Sequence, residues 1–179
     1  MKIIIVRGGS GAGKSTWARR EFPHAIIVSA DSFFVDSKTG EYNFDYTKLP
    51  LAHQTCFLDF IGLVQDDDLI QESTMLRGRL DPNPDLVENE TILVVDNTNT
   101  SVAEFSPYAT AGAAYGHEVK ILTFLYDPVA AFRRNTHGTP LKACMQQHVR
   151  MMEQIGYIPS WWSHDYVLWD DTWPYANVK

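Results

Sequence analysis

Cysteine is scarce in this 179-residue chain: Cys56 and Cys144 stand far apart in apolar-rich stretches, with neither a C-x-x-C nor a Cys/His ligand spacing. That pattern excludes a disulfide framework and a zinc-ribbon site, and two buried free thiols are expected. Long apolar runs are missing too. Only four consecutive apolar residues, Ile3 to Val6, precede the first glycines, too few for a signal-peptide core or a membrane span, so a cytoplasmic protein without a membrane partner is expected. An excess of positive charge is the third absence. The net charge is −7, which argues against nonspecific coating of nucleic acid, because such binding rests on neutralised phosphates. A local basic groove remains compatible with it. The sequence shows no internal repeat and no low-complexity tract, and its length suits a single domain over residues 1–179.

What is present is an alternation of two patterns. Five apolar segments rich in β-branched residues read as strands: Lys2–Val6, Ala25–Ser29, Thr91–Val95, Val119–Leu125 and Tyr166–Trp169. Most are continuous rather than alternating, the pattern of a parallel sheet covered on both faces. Helical candidates fall between them at Lys14–Glu21, Leu51–Val64, Ser101–Gly116, Val129–Arg134 and Leu141–Ile155. The expected fold is therefore α/β, a doubly wound, mainly five-stranded parallel sheet with right-handed crossovers. In the last helix Met145, Val149, Met152 and Ile155 recur at helical spacing, and this stripe is expected to be core. Gln65 to Glu90 is polar and acidic, with Pro82 and Pro84 in its second half, and reads as an excursion before the third strand.

Directly after the first strand stand Gly8, Gly9, Ser10, Gly11, Ala12, Gly13, Lys14 and Ser15, a complete G-x-x-x-x-G-K-[ST] phosphate-binding loop. The glycines let consecutive N–H groups turn toward phosphate oxygens, the lysine reaches the β and γ phosphates, and the serine hydroxyl suits Mg²⁺. With Thr16 the chain enters a helix whose N-terminal dipole adds to anion binding. ATP and Mg²⁺ are the expected cofactors.

Ligands of parallel α/β sheets lie beyond the carboxyl ends of the strands. The second candidate strand ends at Asp31, a carboxylate able to take the proton of an attacking hydroxyl or to hold a metal's water shell; the alternative is a helix cap. The third ends at Asp96, the position that orients Mg²⁺ or its water. No glutamate follows Asp96, which tilts the reading from ATP hydrolysis toward transfer to a bound acceptor. No N-K-x-D segment follows either, and no D-x-x-G follows a strand, which disfavours a GTPase. Asn97, Thr98 and Asn99 either cap the helix near Ser101 or bind substrate. Arg133 and Arg134, just before Asn135-Thr136-His137-Gly138-Thr139-Pro140, suit a lid that delivers positive charge to the transferring phosphoryl group, with solvent-facing helix residues as the alternative. Arg7, just before the loop, is a weak candidate for contact with nucleotide or acceptor. His53 and His137 are weak candidates, and Trp161, Trp162, Trp169, Trp173 and Tyr175 favour packing over base stacking.

Together, R-G-G-S-G-A-G-K-S-T-W-A, S-A-D-S-F-F, the G-x-Y-x-F-D of Gly40 to Asp45, V-D-N-T-N and R-N-x-H-G-x-P resemble the P-loop kinase domain of the Nedd4-binding-protein-2 type, related to the kinase half of bacteriophage polynucleotide kinase. The resemblance spans Met1 to about Met152. It implies an adenylate-kinase-like P-loop NTPase fold with a small lid at about residues 128–140. Lys14 and Ser15 would hold ATP and Mg²⁺, Asp31 would be the general base, and Arg133 or Arg134 would be lid arginines.

Relatives of this broad type phosphorylate the 5′-hydroxyl of DNA or RNA, and some phage-encoded ones the hydroxymethyl group of a modified pyrimidine such as 5-hydroxymethyluridine in DNA. The leading expectation is thus an ATP-dependent kinase acting on a polynucleotide hydroxyl, DNA favoured over RNA, with no obligatory protein partner and, for a phage-encoded chain, in the host cytoplasm. A small-molecule kinase acting on a nucleoside or, in the zeta-toxin manner, a sugar nucleotide is the second reading. An ATP-dependent binding module without catalysis is the third.

Overall fold

The computed structural model describes residues 1–66 and 91–168. Along the chain run β1 (Lys2–Arg7), α1 (Lys14–Glu21), β2 (Ile26–Val28), α2 (Leu49–Gln65), β3 (Ile92–Asp96), α3 (Val102–Ala114), β4 (Glu118–Leu125), α4 (Pro128–Arg134), α5 (Leu141–Gln154) and β5 (Ser163–Leu168). Short 3-10 turns occupy Ala30–Phe34, Tyr46–Lys48 and Ile155–Tyr157. The five strands form one parallel sheet in the order β2-β3-β1-β4-β5. The expected doubly wound α/β architecture is therefore the one observed. Most of the acidic excursion, and Trp169, Trp173 and Tyr175, lie outside the described residues.

Strand β1 shows why the apolar runs are continuous. Its successive side chains point to opposite faces. Ile3 and Ile5 enter a core with Leu93, Val95, Ala52, Phe60, Phe105 and Tyr108, beneath α2 and α3. Ile4 and Val6 enter the other, with Val94, Leu122, Phe124, Trp17, Ala131 and Met151, beneath α1, α4 and α5. A strand covered on both sides has no polar face to offer. Both cysteines are free and buried, as expected. Among the described residues no helix is long and apolar enough to cross a membrane.

One expectation fails. Met145, Val149 and Met152 are exposed, and the buried residues of α5 are Cys144 and Met151. The buried positions are offset by one residue from the expected stripe: Met151 enters the core beneath α5, and Gln147 on the same side of the helix faces the phosphate loop. The Gln147 Oε1 accepts from the Ser10 amide at 2.8 Å.

Candidate active site

The loop between β1 and α1 is shaped by backbone demands. Gly11 has φ 76°, and a Cβ there would sit 1.9 Å from the carbonyl oxygen of Ala131 in α4, so only glycine fits. The Gly9 amide donates to the Tyr126 hydroxyl at 2.8 Å. Lys14 is buried and folds back so that its Nζ donates to the Gly9 carbonyl at 3.1 Å. As the first residues of a helix, Lys14, Ser15 and Thr16 present amides without intrahelical acceptors. Burial pushes the Lys14 ammonium below its ordinary value; Asp96 first, then Asp31, oppose that shift. Both carboxylates thus favour the charge on Lys14.

Asp96 closes β3 beside β1, in register with Val6, and is buried. The residues after it form the site's frame. Asn97 accepts from the Ala30 amide at 2.8 Å, which ties the end of β2 to the end of β3. The Gly8 amide donates to the Thr98 carbonyl at 2.9 Å, and Asn99 Nδ2 donates to the Val6 carbonyl at 2.8 Å. The cap role expected for Asn97 to Asn99 falls instead to Ser101 and Glu104, which close α3 as a capping box, while Asn97 to Asn99 pin strand ends. Sequence patterning could not separate these roles, since an amide serves each equally well.

Arg7, a weak contact candidate by sequence, is fully buried. Its Nε donates to the Asn99 carbonyl at 2.9 Å, one terminal nitrogen to Thr123 Oγ1 at 3.0 Å and the other to the Thr100 carbonyl at 3.3 Å. The guanidinium lies 4.8 Å from the Phe105 ring centroid. Burial lowers its pKa to about 10, with Glu104 and Tyr166 opposing.

Asp31 sits in the turn after β2, half exposed, and is approached by two groups. The Tyr42 hydroxyl donates to Asp31 Oδ1 at 3.3 Å, and His137 Nε2 stands 3.9 Å from Oδ2. The Tyr42 and His137 rings are 4.7 Å apart. Desolvation, then the Asp31 charge, then the hydrogen bond to Asp31 raise the Tyr42 phenol to about 12, so it remains a donor across the neutral range. Sequence reasoning gave Tyr42 no role and ranked His137 low, because the 94 residues between Tyr42 and His137 conceal that the two flank one carboxylate.

Arg133 and Arg134 are the last residues of α4, whose Ala131 carbonyl meets the phosphate loop. Arg133 is exposed and Arg134 half buried. His53 is exposed on α2. Trp162 packs against the core and lies 5.8 Å from the Phe105 ring, whereas Trp161 is exposed. Among the described residues no three His, Cys, Asp or Glu side chains gather into a metal-holding cluster. Ser15 and Asp96 offer two hard oxygens, which fits Mg²⁺, an ion commonly held by one or two protein groups plus substrate phosphates.

Comparison with solved structures finds likenesses at low identity. A chain of the Pnkp1/Rnl/Hen1 complex superposes with a TM-score of 0.50 at 19% identity, covering 78% of this chain and 40% of that one. The present chain thus spans well under half the length of that protein. A gluconokinase from Sinorhizobium meliloti 1021 gives a TM-score of 0.47 at 15% identity, covering 93% and 82%. A protein of the PezAT chromosomal toxin-antitoxin system of Streptococcus pneumoniae gives 0.48 at 20%, covering 74% and 50%. Residues 3–137 match the AAA domain family AAA_33, and the chain belongs to this family of kinase-like P-loop proteins.

Proposed function

We propose that the protein is an ATP-dependent kinase that transfers the γ-phosphate to a hydroxyl on a polynucleotide, either a 5′-hydroxyl or the hydroxymethyl group of a modified pyrimidine in DNA. The observation that carries the transfer reading is the placement of two carboxylates: Asp96, buried at the end of β3 in register with Val6 just before the phosphate loop, and Asp31, in the turn after β2 with Tyr42 and His137 beside it. One suits the donor nucleotide and its metal, the other an acceptor.

In this reading Gly8, Gly9, Ser10, Gly11, Ala12, Gly13, Lys14, Ser15 and Thr16 hold the phosphates of ATP. Ser15 and Asp96 hold Mg²⁺, which when bound neutralises charge on the phosphate oxygens. Asp31 takes the proton of the acceptor hydroxyl as its oxygen bonds to the γ-phosphorus. The bond from that phosphorus to the β–γ bridging oxygen breaks, and ADP leaves. Lys14, Arg133 and Arg134 stabilise the negative charge that spreads over the transferring group. Residues 128–140 act as a lid, a reading supported by the contact of α4 with Gly11 and by His137 beside Asp31.

The net charge of −7 favours a second reading, a small acceptor such as a nucleoside or sugar nucleotide. The two are separated by incubating the protein with labelled ATP and, in parallel, a 5′-hydroxyl oligonucleotide, a duplex containing hydroxymethylpyrimidine, and a nucleoside panel. Label on an oligonucleotide or duplex is the expected result. Label on small molecules alone would overturn the polynucleotide acceptor.

A further inference from the structure

Between β2 and α2 the chain builds a small, well-braced projection. Val35 and Tyr42 form an isolated antiparallel bridge, and the Asn43 amide donates to the Phe34 carbonyl at 2.8 Å. The turn is held by Asp36, whose Oδ1 accepts from the Lys38 and Thr39 amides, each at 2.8 Å. Those bonds hold the Asp36 carboxyl below its ordinary range. A projection closed in this way fixes the side chains it carries.

It carries an unbroken run of aromatic rings. Phe33 lies 5.3 Å from Phe34, Phe34 lies 5.0 Å from Phe44, Phe44 stacks on Tyr42 at 6.4 Å with planes 13° apart, and Tyr42 meets His137 at 4.7 Å. Phe34 is buried and roots the run in the core. Phe33 and Phe44 leave 37% and 52% of their surface to water. Single exposed aromatics are ordinary, but contiguous ones that end on a carboxylate mark a place for a ligand.

We propose that this run is a shelf on which the base of the acceptor nucleotide stacks, with Phe44 as its main contact. The inference rests on the transfer reading above and names the part of the acceptor that is recognised. A ring face accepts a flat heterocycle of any sequence. Asp31 at the end of the run repels a phosphate and leaves a neutral base undisturbed. Stacking also gives an acidic protein a grip on nucleic acid that does not depend on neutralising many phosphates. The Tyr42 hydroxyl and His137 then border the point where the nucleotide's hydroxyl meets Asp31.

The test uses a single-stranded DNA hexamer with a 5′-hydroxyl and a 3′ fluorophore, beside a hexamer whose first nucleotide is abasic. Binding is read by anisotropy, and phosphate transfer in parallel from labelled ATP. The wild-type protein should bind the intact hexamer about 5- to 100-fold more tightly than the abasic one, and Phe44→Ala should remove most of that difference. Phe44→Trp should restore it, which separates stacking from a folding defect. Equal wild-type binding of the two hexamers, or equal weakening of both by Phe44→Ala, would overturn the shelf.

The transfer arm distinguishes the two proposals. Equal kcat/KM for intact and abasic hexamers overturns the shelf and leaves a polynucleotide kinase standing. Label on nucleosides but on no oligonucleotide overturns the polynucleotide reading; the shelf then requires that Phe44→Ala raise the nucleoside KM with kcat little changed, and an unchanged KM overturns it as well. Label confined to a sugar without a base overturns both.

Discussion

Arg7 Nε donates to the carbonyl oxygen of Asn99 at 2.9 Å. The donor is fully buried at the end of β1, and the acceptor is a non-glycine residue at φ 48° on the segment that follows Asp96. The guanidinium thus satisfies the carbonyls of Asn99 and Thr100 from inside the protein. Replacing Arg7 by Met keeps the volume but strands those acceptors, at about 1–3 kcal/mol for each lost buried bond. Thermal denaturation of Arg7→Met should show a Tm lower by roughly 5–15 °C. Arg7→Lys should recover only part of it, because an ammonium cannot reproduce the forked geometry. An unchanged Tm for Arg7→Met would show that the network is incidental.

Asp31→Asn keeps the shape and the bond from Tyr42 but removes the proton acceptor. Phosphate transfer should fall by about 10²- to 10⁴-fold while ATP affinity, read by nucleotide titration, stays within about twofold. Lys14→Ala should instead weaken both. A transferase that keeps near-normal turnover as Asp31→Asn has its base elsewhere.

Gly11→Ala sets a methyl group against the Ala131 carbonyl at a positive φ, two penalties at one position. The variant should be destabilised by about 1–3 kcal/mol and should lose ATP binding with it, since the loop and α4 must separate to make room. Urea denaturation with and without ATP reads both effects. Wild-type stability in this variant would mean that the loop and α4 do not press on each other in solution.

Two histidines set a pH dependence of stability. Desolvation lowers the pKa of His148, with Asp127 opposing, and desolvation followed by Arg7 lowers that of His164, with Asp165 opposing. In each case the unfolded chain binds the proton first on acidification. Their contribution is therefore present above about pH 6.5 and is lost as the pH falls toward the lower folded-state values. The wild-type Tm should drop between about pH 7.5 and 5.5, and the double variant His148→Gln, His164→Gln should show a shallower drop. Parallel slopes for the two proteins would assign the acid sensitivity to other groups.

Fold class was legible because continuous β-branched runs on a doubly covered sheet have few alternatives, and because glycines in a phosphate loop cannot be exchanged without strain. Strands and helices lie within a few residues of their expected bounds. What escaped was long-range polarity. The stripe Met145, Val149, Met152 looked like core because apolar spacing does not fix which side of a helix turns inward; here Cys144, Gln147 and Met151 do. Arg7 escaped for the converse reason: an arginine at a strand end looks like a ligand contact, and nothing local announces that the carbonyls of Asn99 and Thr100 and the hydroxyl of Thr123 enclose it. Tyr42 and His137 converge on Asp31 only through the tertiary fold.

Asn97 binds the backbone of Ala30, not its side chain, and does so from the position next to Asp96. The spacing between Asp96 and Asp31 therefore depends on one hydrogen bond between a side-chain amide and a main-chain N–H, each belonging to the residue next to one of the two carboxylates. Under the proposed function, exchanges within Phe33 to Lys48 that spare Tyr42 would alter the contacts offered to an acceptor while leaving the Asn97–Ala30 tie in place.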